Sequence, residues 1–233
     1  MAVQCANMAR GKMIRITRLD SCGAPVEGLT STLVTKAFVS GTFTPSYSDA
    51  EEISQQDANG DNCIEDRSDP ALRWVDIELI VCTVDPTMIN LITGDPIVVD
   101  DATPTPNTVG FRLDTDLSGD ANFALEIWSG IPGQACDAAG FTKYGYWLFP
   151  WVQDATWGEI VVENGPLTLT FTARATIGSL WGVGPYLVRR DATVPATLEP
   201  LLTAIGPTQP MHFEVTSAPL PTPACGAVEL AIP

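Results

Sequence analysis

The chain has 233 residues and a formal net charge of −16, from 28 acidic and 12 basic side chains. Such an acidic chain is not expected to grip nucleic acid in the usual way, because that binding needs lysine and arginine to displace phosphate counterions. It can still surround DNA without adhering to it. No apolar run reaches the roughly 18 residues of a membrane span, and the N-terminus lacks the apolar segment typical of a secretory signal peptide.

The composition favours one mainly β domain. Hydrophobic residues make up 45% of the chain, and 19 glycines and 19 prolines punctuate short runs of Val, Ile, Thr and aromatic residues. Six cysteines are scattered without a C-x-x-C pair. We expect mostly reduced thiols, with Cys82 buried on a strand, and no metal site.

The chain divides into an arm over residues 1–12, a β domain over 13–217 and a proline-rich, extended tail over 218–233. The first strands are predicted at 14–19 and 33–43. Four of the 12 basic residues lie within the first 18 positions, which suggests an arm that docks on an acidic neighbour. They are Arg10, Lys12, Arg15 and Arg18.

Residues 44–70 predict a long acidic loop, because few of their side chains suit a core. The acidic residues are Asp49, Glu51, Glu52, Asp57, Asp61, Glu65, Asp66 and Asp69, against Arg67 alone. A loop this long in a compact domain is typical of a contact that orders on meeting another subunit.

The middle of the chain alternates between strands and one short helix. A strand is predicted at 74–84, and Asp85 is expected to cap a helix of one or two turns over 86–91. Short segments at 97–100 and 108–113 are expected to pair. Strands at 122–131 and 144–152 hold much of the aromatic mass.

The 144–152 strand contains Pro150, which indicates an edge position or a bulge. A last strand is predicted at 211–217.

A β-hairpin over 156–175 has the clearest pattern in the sequence. Its second strand alternates apolar Leu167, Leu169, Phe171 and Ala173 with polar Thr168, Thr170, Thr172 and Arg174. Its first strand alternates Ile160 and Val162 with Glu159 and Glu163 across an Asn164-Gly165 turn. Period-two alternation predicts one buried face and one face in water.

No motif indicates catalysis. Two stretches that begin at Asp57 and Asp114 resemble calcium loops, but the glycine or the twelfth ligand is misplaced, so we interpret them as Asx-rich turns. The single histidine, His212, has no nucleophile signature beside it and is expected to be structural. We therefore expect neither an enzyme nor a cofactor.

Six segments stand out together, in chain order MARGKMIRITRLDSCGAPV, WVDIELIVCTVDPTMINLITG, NFALEIWSG, GEIVVENGPLTLTFTARA, WGVGPYLV and HFEVTSAPLPTPACG. Their wording and order resemble the major tail proteins of long, flexible-tailed phages that infect actinobacteria. The resemblance covers most of residues 8–226. It implies a β-sandwich or barrel-like tail tube fold with one short helix.

The resemblance also implies a function in the virion. Tail tube subunits assemble in the host cytoplasm as hexameric rings, and the rings stack into a hollow tube. Strands of every subunit join one ring-wide inner β-barrel through which DNA is ejected. The implied partners are copies of the chain itself, the tail terminator, the tape measure protein and the baseplate or distal tail proteins.

Two sets of residues become candidates under this resemblance. Those expected to face the lumen are Asp76, Glu78, Glu159, Glu163, Thr168, Thr170 and Thr172. Those expected to join one ring to the next are Arg10, Lys12, Glu51, Glu52, Asp57 and Asp61. Arg174 departs from the acidic pattern, and we expect it to pair with a neighbouring carboxylate.

Three alternatives remain open from the sequence. One is a capsid decoration protein, which is also β-rich but binds a preformed shell. Another is a carbohydrate-binding β-sandwich, for which a stacking platform of aromatic rings would be needed; the candidates are Trp128, Tyr146, Trp147, Trp151 and Trp157. The third, a calcium-dependent hydrolase, has only the two imperfect loops in its favour.

Overall fold

The protein is mainly β and contains one large antiparallel sheet. The structure is a computed structural model that describes residues 7–115, 121–133, 136–137, 139–162, 164–165 and 167–230. Its helix is α1 (Pro86–Thr93). Its strands are β1 (Ala9–Leu19), β2 (Gly28–Thr35), β3 (Phe38–Tyr47), β4 (Glu52–Gln56), β5 (Asn62–Arg67), β6 (Leu72–Val81), β7 (Ile97–Val99), β8 (Thr108–Phe111), β9 (Asn122–Gly130), β10 (Tyr144–Val161), β11 (Thr168–Ala175), β12 (Arg189–Arg190), β13 (Leu198–Glu199), β14 (His212–Thr216) and β15 (Val228–Leu230).

The large sheet has the order β15-β2-β1-β9-β10-β11-β6-β3, and β14 also pairs with β10. The 18-residue β10 organises it. Its first half lies between β9 and β14, and its second half pairs with β11. Bulges at 149–152 and 153–156 bend β10, so its two halves can pair with different strands. The sheet stays open and does not close into a barrel within the chain.

The two parts of the sheet face each other across the main core. The first part is β2-β1-β9 with the first half of β10, and the second is the rest of β10 with β11, β6 and β3. Phe43 of β3 packs on Phe149 of β10 with ring centroids 4.4 Å apart. Buried residues from both parts and from α1 form one cluster. The mainly β class that the sequence predicted is confirmed, as one large antiparallel sheet with one short described helix.

A second core lies on the opposite face of the first part. Residues 176–210 cover this face and contribute Trp181, Val188, Leu201 and Ile205. They pack on Met13, Trp128 and other residues of β1, β9 and β10. Strand β9 is therefore buried on both faces, which explains its nearly continuous apolar sequence.

Helix α1 begins as the sequence predicts. The Asp85 carboxylate accepts hydrogen bonds from the backbone N–H of Thr87 at 2.9 Å and of Met88 at 3.3 Å. Its second oxygen accepts the backbone N–H of Gly226 at 2.9 Å. One side chain thus caps the helix and fastens the C-terminal segment, which continues to β15 on the edge of β2.

Replacing Asp85 with alanine should lower the free energy of unfolding by about 1–2 kcal/mol, the usual range for a lost N-cap, with the tail anchor lost as well. Asp85→Asn is the matched control because its amide oxygen still caps the helix. Denaturant titration measures both variants. Equal loss in the two variants, or none in Asp85→Ala, would contradict this double role.

Several predicted elements were wrong in extent. The strand expected at 33–43 is the end of β2 and the start of β3, which pair with different neighbours. The loop expected at 44–70 contains the end of β3 and the β4–β5 hairpin. Residues 9–12 of the expected arm belong to β1.

The remaining corrections concern the ends of other elements. The strand expected to end at 152 continues to Val161. The strand at 211–217 is followed by β15 within the expected tail. Cys82 follows the end of β6 and is exposed rather than buried. The pairing of 97–100 with 108–113 is confirmed by β7 and β8.

Candidate functional site

The most distinctive surface is the polar face of the second part of the sheet, formed by the second half of β10 with β11, β6 and β3. On β11 the buried residues Leu169, Phe171 and Ala173 alternate with polar ones, as predicted. Strand β6 does the same with Val75, Ile77, Leu79 and Val81 inside. We use "polar face" for the side chains on the outer side of these four strands.

Strand pairing aligns this face into rows that cross all four strands. Thr42 of β3 lies opposite Glu78, which lies opposite Thr172, which lies opposite Thr156 of β10. The Thr156 and Thr172 hydroxyls are 2.9 Å apart and hydrogen-bonded. Hydroxyl side chains keep strand propensity while remaining hydrated, so the face combines a regular sheet with a wet surface.

The next row contains Arg174, the only positive charge in the rows that the structure describes on this face. It lies between Asp76 and Gln153. Its guanidinium is 3.5 Å from the Asp76 carboxylate and 3.8 Å from that of Asp154. The prediction that Arg174 pairs with a neighbouring carboxylate is confirmed.

These rows line a shallow groove of about 480 Å³. Its walls include Thr42, Glu78, Asp154 and Arg174. Three carboxylates, those of Asp76, Glu78 and Asp154, stand against one guanidinium, so the groove has a net negative charge of two. The surface is concave, hydrated and acidic.

The predicted lumen residues fall mostly on this one face. Asp76, Glu78, Thr170 and Thr172 lie in its rows, and Thr168 follows in the same alternation on β11. Glu159 is exposed on β10, at a register irregularity between Trp157 and Ile160. Glu163 lies outside the described residues.

The first strand of the hairpin departs from the predicted alternation near its tip. Ile160 and Val162 were expected in the core, but they are 43% and 81% exposed. The reason is that this end of β10 is a sheet edge, where only β11 pairs with it and no strand covers its other side. Ile160 still lies opposite Leu169, but Val161 lies opposite Thr168 on the polar side.

Both outer edges of this four-stranded unit are open in the described part of the chain. Strand β3 pairs only with β6, and β10 beyond Gln153 pairs only with β11. Pro45 lies near the end of β3, where a residue without an N–H is tolerated on a strand edge. Open edges present unpaired N–H and C=O groups that can pair with another chain.

The predicted ring-joining residues divide into two separate surfaces. Glu51, Glu52, Asp57 and Asp61 lie on or beside the β4–β5 hairpin, in which every residue is exposed. Asp57 accepts the backbone N–H groups of Asn59 and Asp61, which confirms the Asx-type turn expected there. The hairpin is a negatively charged projection.

The second surface carries positive charge. Arg10 and Lys12 are exposed at the start of β1, and with Lys143 they line a groove of about 580 Å³. Ile131, Tyr144 and Leu220 contribute apolar lining to this basic groove. Within the chain no ion pair between described residues joins it to the hairpin, so the two surfaces are free to meet in different copies.

A buried ion pair was missed by sequence reasoning. Arg15, one of the four basic residues among the first 18, is buried and pairs with the buried Glu126. Tyr146 donates a hydrogen bond to Glu126 at 2.6 Å, and the Tyr186 ring stacks on Arg15 at 3.2 Å. Burial alone lowers the pKa of Arg15, but Glu126 outweighs it and the pKa is raised. The sequence did contain a signal for this pair, because Arg15 and Glu126 are each a charged residue between apolar neighbours in a strand.

The aromatic residues do not form an exposed platform. Trp128 and Tyr146 are buried, and the indole N–H groups of Trp151 and Trp157 donate to Asn122 and Asp95. Trp147 packs against Phe213. These rings stabilise the fold.

The described ranges contain no group of three or more His, Cys, Asp or Glu side chains arranged to hold a metal ion. The second calcium-like stretch lies partly outside them, at 116–120. No described helix has the length and apolarity to cross a membrane.

Comparison with known proteins adds no assignment. No protein-family model matches the sequence, and no curated protein matches it significantly.

Proposed function

We propose that this chain is a structural virion protein that assembles as stacked hexameric rings into the hollow tail tube of a siphovirus-type phage. DNA leaves the particle through that tube. The observation that carries the proposal is the four-stranded unit with a polar face, an apolar face and two open edges. The order of segments that resembles actinobacteriophage major tail proteins supports the same function.

The open edges supply the means of ring closure. If β3 of one copy pairs with the second half of β10 in the next, the rows of the polar face continue from chain to chain. Six four-stranded units would give about 24 strands, and at ~4.8 Å spacing and ~40° tilt the barrel is roughly 48 Å across between backbones. Closure also removes the exposed edges that otherwise promote aggregation.

The polar face suits a wall along which DNA slides. Phosphates are repelled by Asp76, Glu78 and Glu159 within a Debye length of roughly 8–10 Å, and threonine hydroxyls keep the wall hydrated. The buried side of the same strands belongs to the main core. A lumen wall needs this division between a wet face and a packed face.

Ring stacking is assigned to the two charged surfaces. The acidic hairpin of one copy is proposed to lie against the basic groove of a copy in the next ring. Opposite charges favour this contact, and because it joins two different surfaces it propagates instead of closing. The tube ends are proposed to meet the tail terminator and the distal tail proteins, and the tape measure protein the lumen.

The alternatives have less support. A carbohydrate-binding module needs a platform of exposed aromatic rings, and the five candidate rings here are buried or half-buried and engaged. A capsid decoration protein needs no wet strand face between two open edges. Electron microscopy of the purified chain, alone and mixed with phage capsid shells, separates the three: tubes support the proposal, whereas shell-bound particles or stable monomers overturn it.

Neutralising the wall should slow DNA ejection. The variant Asp76→Asn, Glu78→Gln, Glu159→Gln removes three carboxylates from the proposed lumen, so phosphates are repelled less and DNA interacts with the wall. The control removes three exposed carboxylates elsewhere, with Glu27→Gln, Asp101→Asn and Glu229→Gln. Ejection from otherwise normal tails is timed by dye fluorescence. Equal kinetics in wild type, variant and control would reject the lumen assignment.

A further inference from the structure

We infer that Asp76 and Asp154 act as built-in counterions that keep Arg174 from binding DNA phosphate. This inference rests on the proposed passage of DNA along the polar face. Arg174 stands in the middle of that face with its side chain 50% exposed. Arginine is the side chain best suited to hold phosphate, because its planar fork donates two parallel hydrogen bonds. An unpaired arginine here, repeated in every subunit, would hold DNA.

The two carboxylates reach Arg174 from the strands on either side. Asp76 on β6 is 3.5 Å from it, and Asp154 on β10 is 3.8 Å from it. The guanidinium is therefore held between two negative charges. A phosphate can bind it only by displacing them.

Each carboxylate is positioned by a local feature of its strand. The Trp74 indole N–H donates to Asp76 at 3.1 Å, and the Arg174 guanidinium lies 5.0 Å from the Trp74 ring centroid. Asp154 has a φ of +53° at the bulge of β10, a conformation that non-glycine residues adopt rarely. The bulge turns its side chain out of the regular alternation and towards Arg174.

Stability does not account for this cluster. All three side chains are about half exposed or more, and exposed ion pairs contribute at most about 1 kcal/mol. Glu78 and Glu159 lie on the same strands and make no ion pair with any described residue. The exposed carboxylates of these strands are thus of two kinds, those paired with Arg174 and those with no ion pair to a described residue.

The difference can be measured with charge-matched variants of the full chain. Asp76→Asn with Asp154→Asn frees Arg174, whereas Glu78→Gln with Glu159→Gln removes the same charge and leaves Arg174 paired. A third variant adds Arg174→Gln to the first. Binding of a short DNA duplex of mixed sequence is titrated at several salt concentrations, on soluble chain and on tubes, after thermal unfolding confirms that each variant is folded.

We expect the first variant to bind the duplex more tightly than the control pair. Its salt dependence should steepen by about 0.9 in log K against log salt for each arginine that engages a phosphate. Arg174→Gln should abolish this gain. Equal binding by the two pairs, or a gain that survives Arg174→Gln, overturns the inference. Tube formation by wild-type chain is scored separately by microscopy, so failure of the proposed function is distinguished from failure of this inference.

Discussion

Replacing residues 49–70 with a two-residue Asn-Gly turn should give a folded, soluble chain that forms no tubes. The β4–β5 hairpin pairs only with itself, and every residue in its strands is exposed. Its base closes where the Ser48 backbone N–H donates to the Ala71 carbonyl at 2.8 Å. The cut therefore removes no core contact, and the thermal unfolding temperature should stay within a few degrees. Only the contact between rings is lost.

The deletion begins at residue 49 so that the edge strand β3 stays intact. Ser46 and Tyr47 pair with Trp74 and Leu72, so a deletion that begins at 46 would also shorten the edge strand β3. A second variant keeps the hairpin and neutralises Glu51, Glu52, Asp57 and Asp61. We expect it to form tubes that dissociate at lower salt than wild type. Tubes of normal length from the deletion variant would rule out the hairpin as the ring contact.

Glu126→Gln should destabilise the protein by about 3–5 kcal/mol, because it leaves the Arg15 guanidinium buried without a counterion. Domains of this kind are stable by only about 5–15 kcal/mol in total, so the loss is a large fraction. Tyr146 also loses its charged acceptor. Burial and the nearby Glu126 charge raise the pKa of Tyr146 well above its usual value, so the phenol remains a hydrogen-bond donor.

The control replaces the whole pair with apolar side chains. Arg15→Met with Glu126→Leu leaves no buried charge, and such replacements are often neutral or stabilising. Tyr146→Phe added to it removes the phenol that would otherwise lack an acceptor. Urea titration gives the free energies. A loss below about 1 kcal/mol for Glu126→Gln would mean that the pair is solvated and contributes no more than a surface ion pair.

Local patterns were sufficient to predict the elements with strong periodicity. The alternation of β11 and β6, the Asp85 cap and the pairing of β7 with β8 follow from residues close in sequence. Pro150 correctly indicated a bulge, because proline cannot donate to a ladder.

Features set by distant contacts were not predictable in this way. A two-residue connection separates β2 from β3, and the run 33–43 contains no residue that marks the change of partner. The length of β10 depends on β9 and β14 flanking one half and β11 the other. The burial of Arg15 was not predictable because its partner lies 111 positions away in the chain. The register of the polar face likewise emerges only when four strands align.

The most direct test of ring closure is a disulfide between neighbouring chains. All six cysteines are first replaced with serine. Thr42→Cys on β3 is then combined with cysteine at Thr156, or at Gln153 or Val161 to allow for stagger. Within one chain Thr42 and Thr156 lie three strand spacings apart, roughly 14 Å, too far for an internal disulfide.

Oxidised particles should therefore give a ladder of linked chains that ends at the hexamer on a non-reducing gel. Particles that assemble but yield only single chains at every cysteine position would contradict the account, because the open edges would then not be the surfaces that meet.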